Sequence, residues 1–182
     1  MKILFIIIKE ELFKIKNQIL AVTILNIITP LILYLSFSIP LSAVFTNLKP
    51  IYLSWSSAGI YITSTVFIIF YLTSKIFKEN LESEFIYTLP IKLIKKVIAN
   101  YLFLIFLGII HILIAIILIT TLNNEYIRFL DILFIILNMI PILIIIISLA
   151  IIFTVMFENQ LYNFYINFIL FIFLSFGLGS FI

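Results

Sequence analysis

Apolar residues run along this chain in five long blocks, each bounded by charge, proline or small polar residues. The blocks cover residues 19 to about 37, 54–74, 97–120, about 132–157 and 161–182. Each is close to or above the ~20 residues that an α-helix, rising ~1.5 Å per residue, needs to cross hydrocarbon. None keeps a period of two and each is far longer than a strand, which argues against both a soluble sheet and a transmembrane barrel. The pattern predicts an all-α, polytopic transmembrane helix bundle of five spans, a single domain over residues 1–182.

Composition says what solvent such a chain needs. Hydrophobic residues make up 65% of it and charged residues 10%, where a soluble domain carries about 45–50% and about 25%. Mean hydropathy is +1.36, so lipid is the main solvent. Cysteine is absent, which removes disulfides and thiol chemistry without fixing a redox compartment. The first apolar run, residues 3–8, is interrupted by Lys9, Glu10 and Glu11 with no small-residue cleavage site after it, so a removable signal peptide is not expected.

Charge placement orients the bundle. Lys2, Lys9, Lys14 and Lys16 precede the first span, and Lys75, Lys78, Lys92, Lys95 and Lys96 lie between the second and third. Only Lys49 and Arg128 fall in the alternate connections. The positive-inside rule then predicts a multi-pass protein of the cell membrane with a cytoplasmic amino terminus. Residues 1–18 predict an interfacial helix: Leu4, Ile8, Leu12 and Ile15 share one face, and the stems of Lys2, Lys9 and Lys16 can snorkel from the other. Tyr52 and Trp55 fit an interfacial anchor at the start of the second span.

Candidate chemistry is sparse. His111, near the middle of the third span, is the only histidine, and no carboxylate lies inside a span. An ionisable group at membrane depth marks a candidate polar site, but a neutral imidazole also packs quietly between helices given one or two partners. No metal site, proton relay or catalytic constellation is expected, and the four glycines form no phosphate-binding loop. No cofactor and no nucleic-acid partner are expected, and any nucleotide must be bound by another chain. Asn26, Thr29 and Pro30 in the first span, and Asn138 and Pro141 in the fourth, predict bends. The second span is the most hydroxyl-rich, with Ser54, Ser56, Ser57, Thr63, Ser64, Thr65, Thr73 and Ser74. It faces either a partner or path, or the inside of a tight bundle. Glu125 and Arg128 could pair in a solvated cap.

Residues 75–96 carry eight of the chain's nineteen charges. Phe77, Leu81 and Phe85 recur every four residues, flanked by Lys75–Glu79 and Lys78–Glu82 at the same spacing, which predicts a short amphipathic helix. Leu89–Pro90 breaks it, and Lys92, Lys95 and Lys96 open the next span. Such a ledge can hold lipid headgroups or dock a protein.

The stretch around Lys78–Lys96, with Glu84 six residues before Pro90 and the step Thr88-Leu89-Pro90-Ile91, resembles the inner loop of ABC transporter permeases of the type-2 exporter class. Leu81 and Glu82 stand where that class usually has glycine and threonine. The resemblance implies a transport subunit without its own ATPase site, working as a homo- or heterodimer. In it, Glu79, Glu82, Glu84, Leu89, Pro90 and Lys92 would form a coupling segment docked on a separate ATP-binding subunit. The class normally has six spans, so a member shortened after the fifth is expected, its glycine-containing turn at residues 175–180. The alternative is a non-transporting immunity or assembly factor that binds a partner or lipid.

Overall fold

A computed structural model describes residues 2–16, 19–47, 52–82, 93–157 and 160–173. Among them every regular element is helical and no strand occurs. The elements are α1 (Lys2–Lys16), α2 (Ile19–Leu33), a π-helical turn (Tyr34–Ser38), α3 (Ile39–Val44), α4 (Tyr52–Glu82), α5 (Leu93–Asn123), α6 (Phe129–Met156) and α7 (Gln160–Ile172). Four helices are long and apolar enough to cross a bilayer, over Leu20–Val44, Tyr52–Glu79, Ile94–Asn123 and Phe129–Met156. The protein is therefore an α-helical membrane protein. The expected fifth span is represented by the 13 residues of α7, and residues 174–182 lie outside the described residues.

The helices overrun the boundaries read from polarity. The first continues past residue 37, through the π turn and α3, to Val44. Ser36, Ser38 and Pro40 looked like its end, yet the chain absorbs them by widening one turn: the Ile39 N–H reaches back five residues to the Tyr34 carbonyl. This wide turn opens just before Pro40, which has no N–H for the Ser36 carbonyl and whose ring would crowd it. Likewise α4 runs past Ser74 to Glu82, so the first half of the predicted amphipathic segment is not separate but extends a long helix. A helix satisfies its own backbone in water as in lipid, so charge alone does not stop it.

The central element is α4. Of its most apolar window 72% is buried inside the protein, against 22% for the α2–α3 span, 44% for α5 and 22% for α6. It packs against α2, α3, α5, α6 and α7. Ile60, Ile69, Leu104, Ile112, Ile116 and Ile147 form the main core with Leu33 and Phe103, and Val66 and Phe70 pack with Ile146 and Ala150 in a second cluster. Close approach is set at Gly108 in α5, where an added Cβ would stand 2.7 Å from a Leu143 methyl and 3.4 Å from Ile69. Outward-facing side chains of α6 such as Phe134, Ile145 and Val155 stay exposed, as a lipid-bathed helix requires.

Helix α5 ends in a Schellman arrangement. Asn124 takes φ of 53°, its N–H bonds the Thr121 carbonyl, and the Glu125 N–H bonds the Thr120 carbonyl at 3.0 Å. Asparagine tolerates the left-handed conformation better than most residues. Helix α1 lies mainly against α5. It turns Ile7 and Glu11 into the protein while Leu12 remains exposed, so its packed face is offset from the Leu4–Ile8–Leu12–Ile15 stripe. Tyr52 is not a lipid-facing anchor. It is 1% exposed and stacks on Phe45 at 5.3 Å between ring centroids; the Trp55 side chain lies outside the described residues.

Candidate functional site

Polar side chains in this bundle serve two different purposes. Most hydroxyls of α4 bond their own helix: Thr65 and Thr73 each donate at 2.6 Å to the carbonyl four residues back, Tyr61 and Ile69, and Ser57 donates at 2.6 Å to Ser54. These side chains are small and buried, and they permit packing without reaching other helices.

A second set ties helices together. His111 of α5 is 0% exposed. Its Nδ1 lies 3.1 Å from Asn26 Oδ1 on α2 and its Nε2 lies 3.2 Å from Ser64 Oγ on α4. A neutral ring satisfies both contacts: Nδ1–H donates to the asparagine carbonyl, and Nε2 accepts from the serine hydroxyl. Ser64 has one hydroxyl proton and an alternative acceptor, the Tyr61 carbonyl, at 3.4 Å. Three helices thus meet on one imidazole in the middle of the bundle.

Further along, toward the end of the α2–α3 span marked by Val44, the Tyr34 hydroxyl donates to Asn123 Oδ1 at 2.7 Å. The Asn123 amide donates to the Leu53 carbonyl at 3.4 Å, and Ser56 donates to Ser38 Oγ at 3.0 Å. Ser54 hydrogen-bonds Glu125, while Arg128 pairs with Asp131 through two contacts at 3.1 and 3.3 Å. The expected Glu125–Arg128 pair is therefore replaced by two other partnerships. The Arg128 guanidinium is held above its ordinary pKa by its hydrogen bond and charge attraction to Asp131.

The order Ser64, His111, Asn26 matches nucleophile, base and orienting amide in type. As it stands the site is closed: Ser64 and His111 are both 0% exposed. Ser64 also sits inside a regular helix whose N–H groups are committed to backbone bonds, leaving none to hold an oxyanion. What the arrangement does chemically is clasp three helices. Among the described residues no group of three or more histidine or acidic side chains could hold a metal. Tyr61 Oη, Thr63 Oγ1, Ser74 Oγ and Asn100 Oδ1 are buried without a hydrogen-bond partner there.

No protein-family model matches the chain, and neither a curated protein nor a solved structure is significantly similar to it.

Of the residues expected to couple to a partner, Glu79 is placed on the far end of α4, half exposed and 4.0 Å from Lys75. Glu82 is the last residue of α4, its side chain outside the described residues, and Glu84, Leu89, Pro90 and Lys92 lie outside them altogether. His111 is brought together with Asn26 and Ser64, a grouping that polarity along the chain does not reveal. A signal for half of it was available: α4 and α5 are chain neighbours of equal length and must run antiparallel, which sets Ser64 opposite His111 and Leu53 opposite Asn123. Nothing in the sequence set the register of α2.

Proposed function

We propose that this chain is the membrane-spanning subunit of an ATP-driven exporter of the ABC type-2 class. In this reading residues 161–182 form a fifth span, residues 1–18 lie at the cytoplasmic face of the cell membrane as an interfacial helix, and two permease subunits associate. A separate ATP-binding subunit docks on residues 78–92 and drives the pair between two packings, which requires nucleotide to favour one of them differentially. The chain itself supplies no ATPase site. The observation that carries the reading is the acidic segment closed by Thr88-Leu89-Pro90-Ile91 between the second and third long helices. The length of α4 supports it, since a helix continuing past its apolar stretch to Glu82 carries Glu79 and its acidic neighbours beyond the hydrocarbon.

A second reading is a partner-binding immunity or assembly factor. It is favoured by the hydroxyl-rich α4 lying inside the bundle, where Ser56, Ser57, Ser64, Thr65 and Thr73 bond groups of the chain itself.

Affinity capture of the full chain from its native membranes, with identification of co-purifying proteins, tests both. The exporter reading expects a nucleotide-binding subunit, lost at least tenfold from a Glu84→Lys variant that inserts normally. A different stable partner and no ATPase would establish the second reading instead. Orientation is checked separately in the cysteine-free background: Lys78→Cys or Lys95→Cys reacting with an impermeant maleimide on intact cells would overturn the scheme.

A further inference from the structure

Only five described side chains of the α2–α3 span are buried: Asn26, Pro30, Leu33, Tyr34 and Ser38. They fall on one stripe, and three of the five are polar and hydrogen-bonded to α4 or α5. Lipid is as apolar as leucine, so helices in a membrane gain little by burying apolar faces on each other; packing and interhelical hydrogen bonds hold them. The α2–α3 span is thus fastened chiefly by three polar clasps, at His111, Asn123 and Ser56.

The same span carries two breaks in its backbone ladder, and both coincide with the clasps. Pro30 has no N–H for the carbonyl four residues before it, which belongs to Asn26, the residue held by His111. The π turn runs from Tyr34 to Ser38, the two residues held by Asn123 and Ser56. Wide turns and prolines are where helices bend. Among the described residues no other span has a joint at each of its fastenings.

We infer that the α2–α3 span is a jointed, detachable helix, latched to α5 through the His111–Asn26 bond. Release swings it away about Pro30 and the π turn and uncovers the polar row it hides, Ser56, Ser64, His111 and Asn123. His111 is a positioning residue in this scheme: it acts on α2 through Asn26. The inference stands whether or not the chain transports anything.

The test uses thiol accessibility, since the chain has no native cysteine. Ser56→Cys places a thiol behind the latched helix, and Thr154→Cys, also buried, places one near the end of α6. N-ethylmaleimide modification is timed in lipid nanodiscs with and without Asn26→Leu or His111→Leu. Loss of one interhelical hydrogen bond should raise the open population, and so the Ser56→Cys rate, about threefold to about twentyfold. Both substitutions should accelerate it, because each breaks the His111–Asn26 bond, and the Thr154→Cys rate should stay put. An unchanged Ser56→Cys rate overturns the latch. Equal acceleration at both thiols also overturns it, since that reports general loosening of the bundle.

Discussion

Helices α2 and α4 both carry many polar residues for membrane spans, yet they use them in opposite ways. In α4 the buried hydroxyls of Ser57, Thr65 and Thr73 bond carbonyls of their own helix at the centre of the bundle. In the α2–α3 span Asn26, Tyr34 and Ser38 meet partners on α4 and α5, and the span is otherwise open to lipid, with Leu20, Ile32 and Leu35 exposed. An intrahelical hydrogen bond exists whether or not the helix is packed, whereas an interhelical one exists only in the assembly. Polarity in a span therefore does not say whether the span is central or peripheral; the bonding partner does.

The sharpest way to break this comparison is to truncate one large side chain on each helix. Phe70 of α4 is fully buried, and Phe70→Ala should cost about 3 kcal/mol, the lower part of the range for such cavities. Ile32 of α2 is 54% exposed, and Ile32→Ala should change stability by under ~0.5 kcal/mol because lipid fills the space. SDS-titrated unfolding in mixed micelles measures both. Similar costs would mean that α4 is not the central support.

A second, smaller effect is expected where α5 closes on α4 and α6. Gly108→Val puts branched carbon against the Leu143 methyls already 2.7 and 2.9 Å from a bare Cβ, and overpacking of this kind costs about 2 kcal/mol. Because the obstructing atoms are the tips of a flexible side chain, Leu143→Ala in the same chain should recover more than half of the loss. Failure of that rescue would place the constraint in the backbone and not in the Leu143 contact.

Tyr34→Phe probes an α2 clasp directly. It removes the hydroxyl that donates to Asn123 and leaves Asn123 Oδ1 without that partner, at about 1 kcal/mol. In the Asn123→Leu background the same substitution should cost much less. Equal costs in both backgrounds would show that the bond does not fasten α2.

The legibility of the fold in the sequence divides along the same line. The four long helices were legible because hydrocarbon demands uninterrupted apolar length, a property of each segment alone. Their ends were not, because Ser38 and Pro40 looked like a stop, whereas a wider turn and a buried partner on α4 accommodate them. The amphipathic continuation over Phe77 to Glu82 was legible as helix, but its fusion with α4 was not, since nothing local distinguishes a break from a continuation there. His111 was legible as a polar group in lipid. Its partners were not, because Asn26 lies 85 positions away and a one-turn shift of α2 would replace it with Val22 or Pro30. Glu79 was legible on a charged, exposed flank, paired with Lys75 as the four-residue spacing requires.

The smallest expected effect is the most discriminating for the comparison itself. Thr65 is 0% exposed and its hydroxyl makes a short bond, 2.6 Å, to the Tyr61 carbonyl. In a soluble core, replacing such a threonine with valine removes a made hydrogen bond and should be felt. In a membrane the reference state is a separate but intact helix, in which Thr65 makes the same bond to the same carbonyl. The bond cancels between the two states, and valine keeps the shape. Thr65→Val should therefore change unfolding in mixed micelles by less than ~0.5 kcal/mol, below Tyr34→Phe although Thr65 is the more deeply buried. If Thr65→Val proves the costlier of the two, the α4 hydroxyls help to hold the assembly together, and the distinction between packing hydroxyls and clasping ones fails.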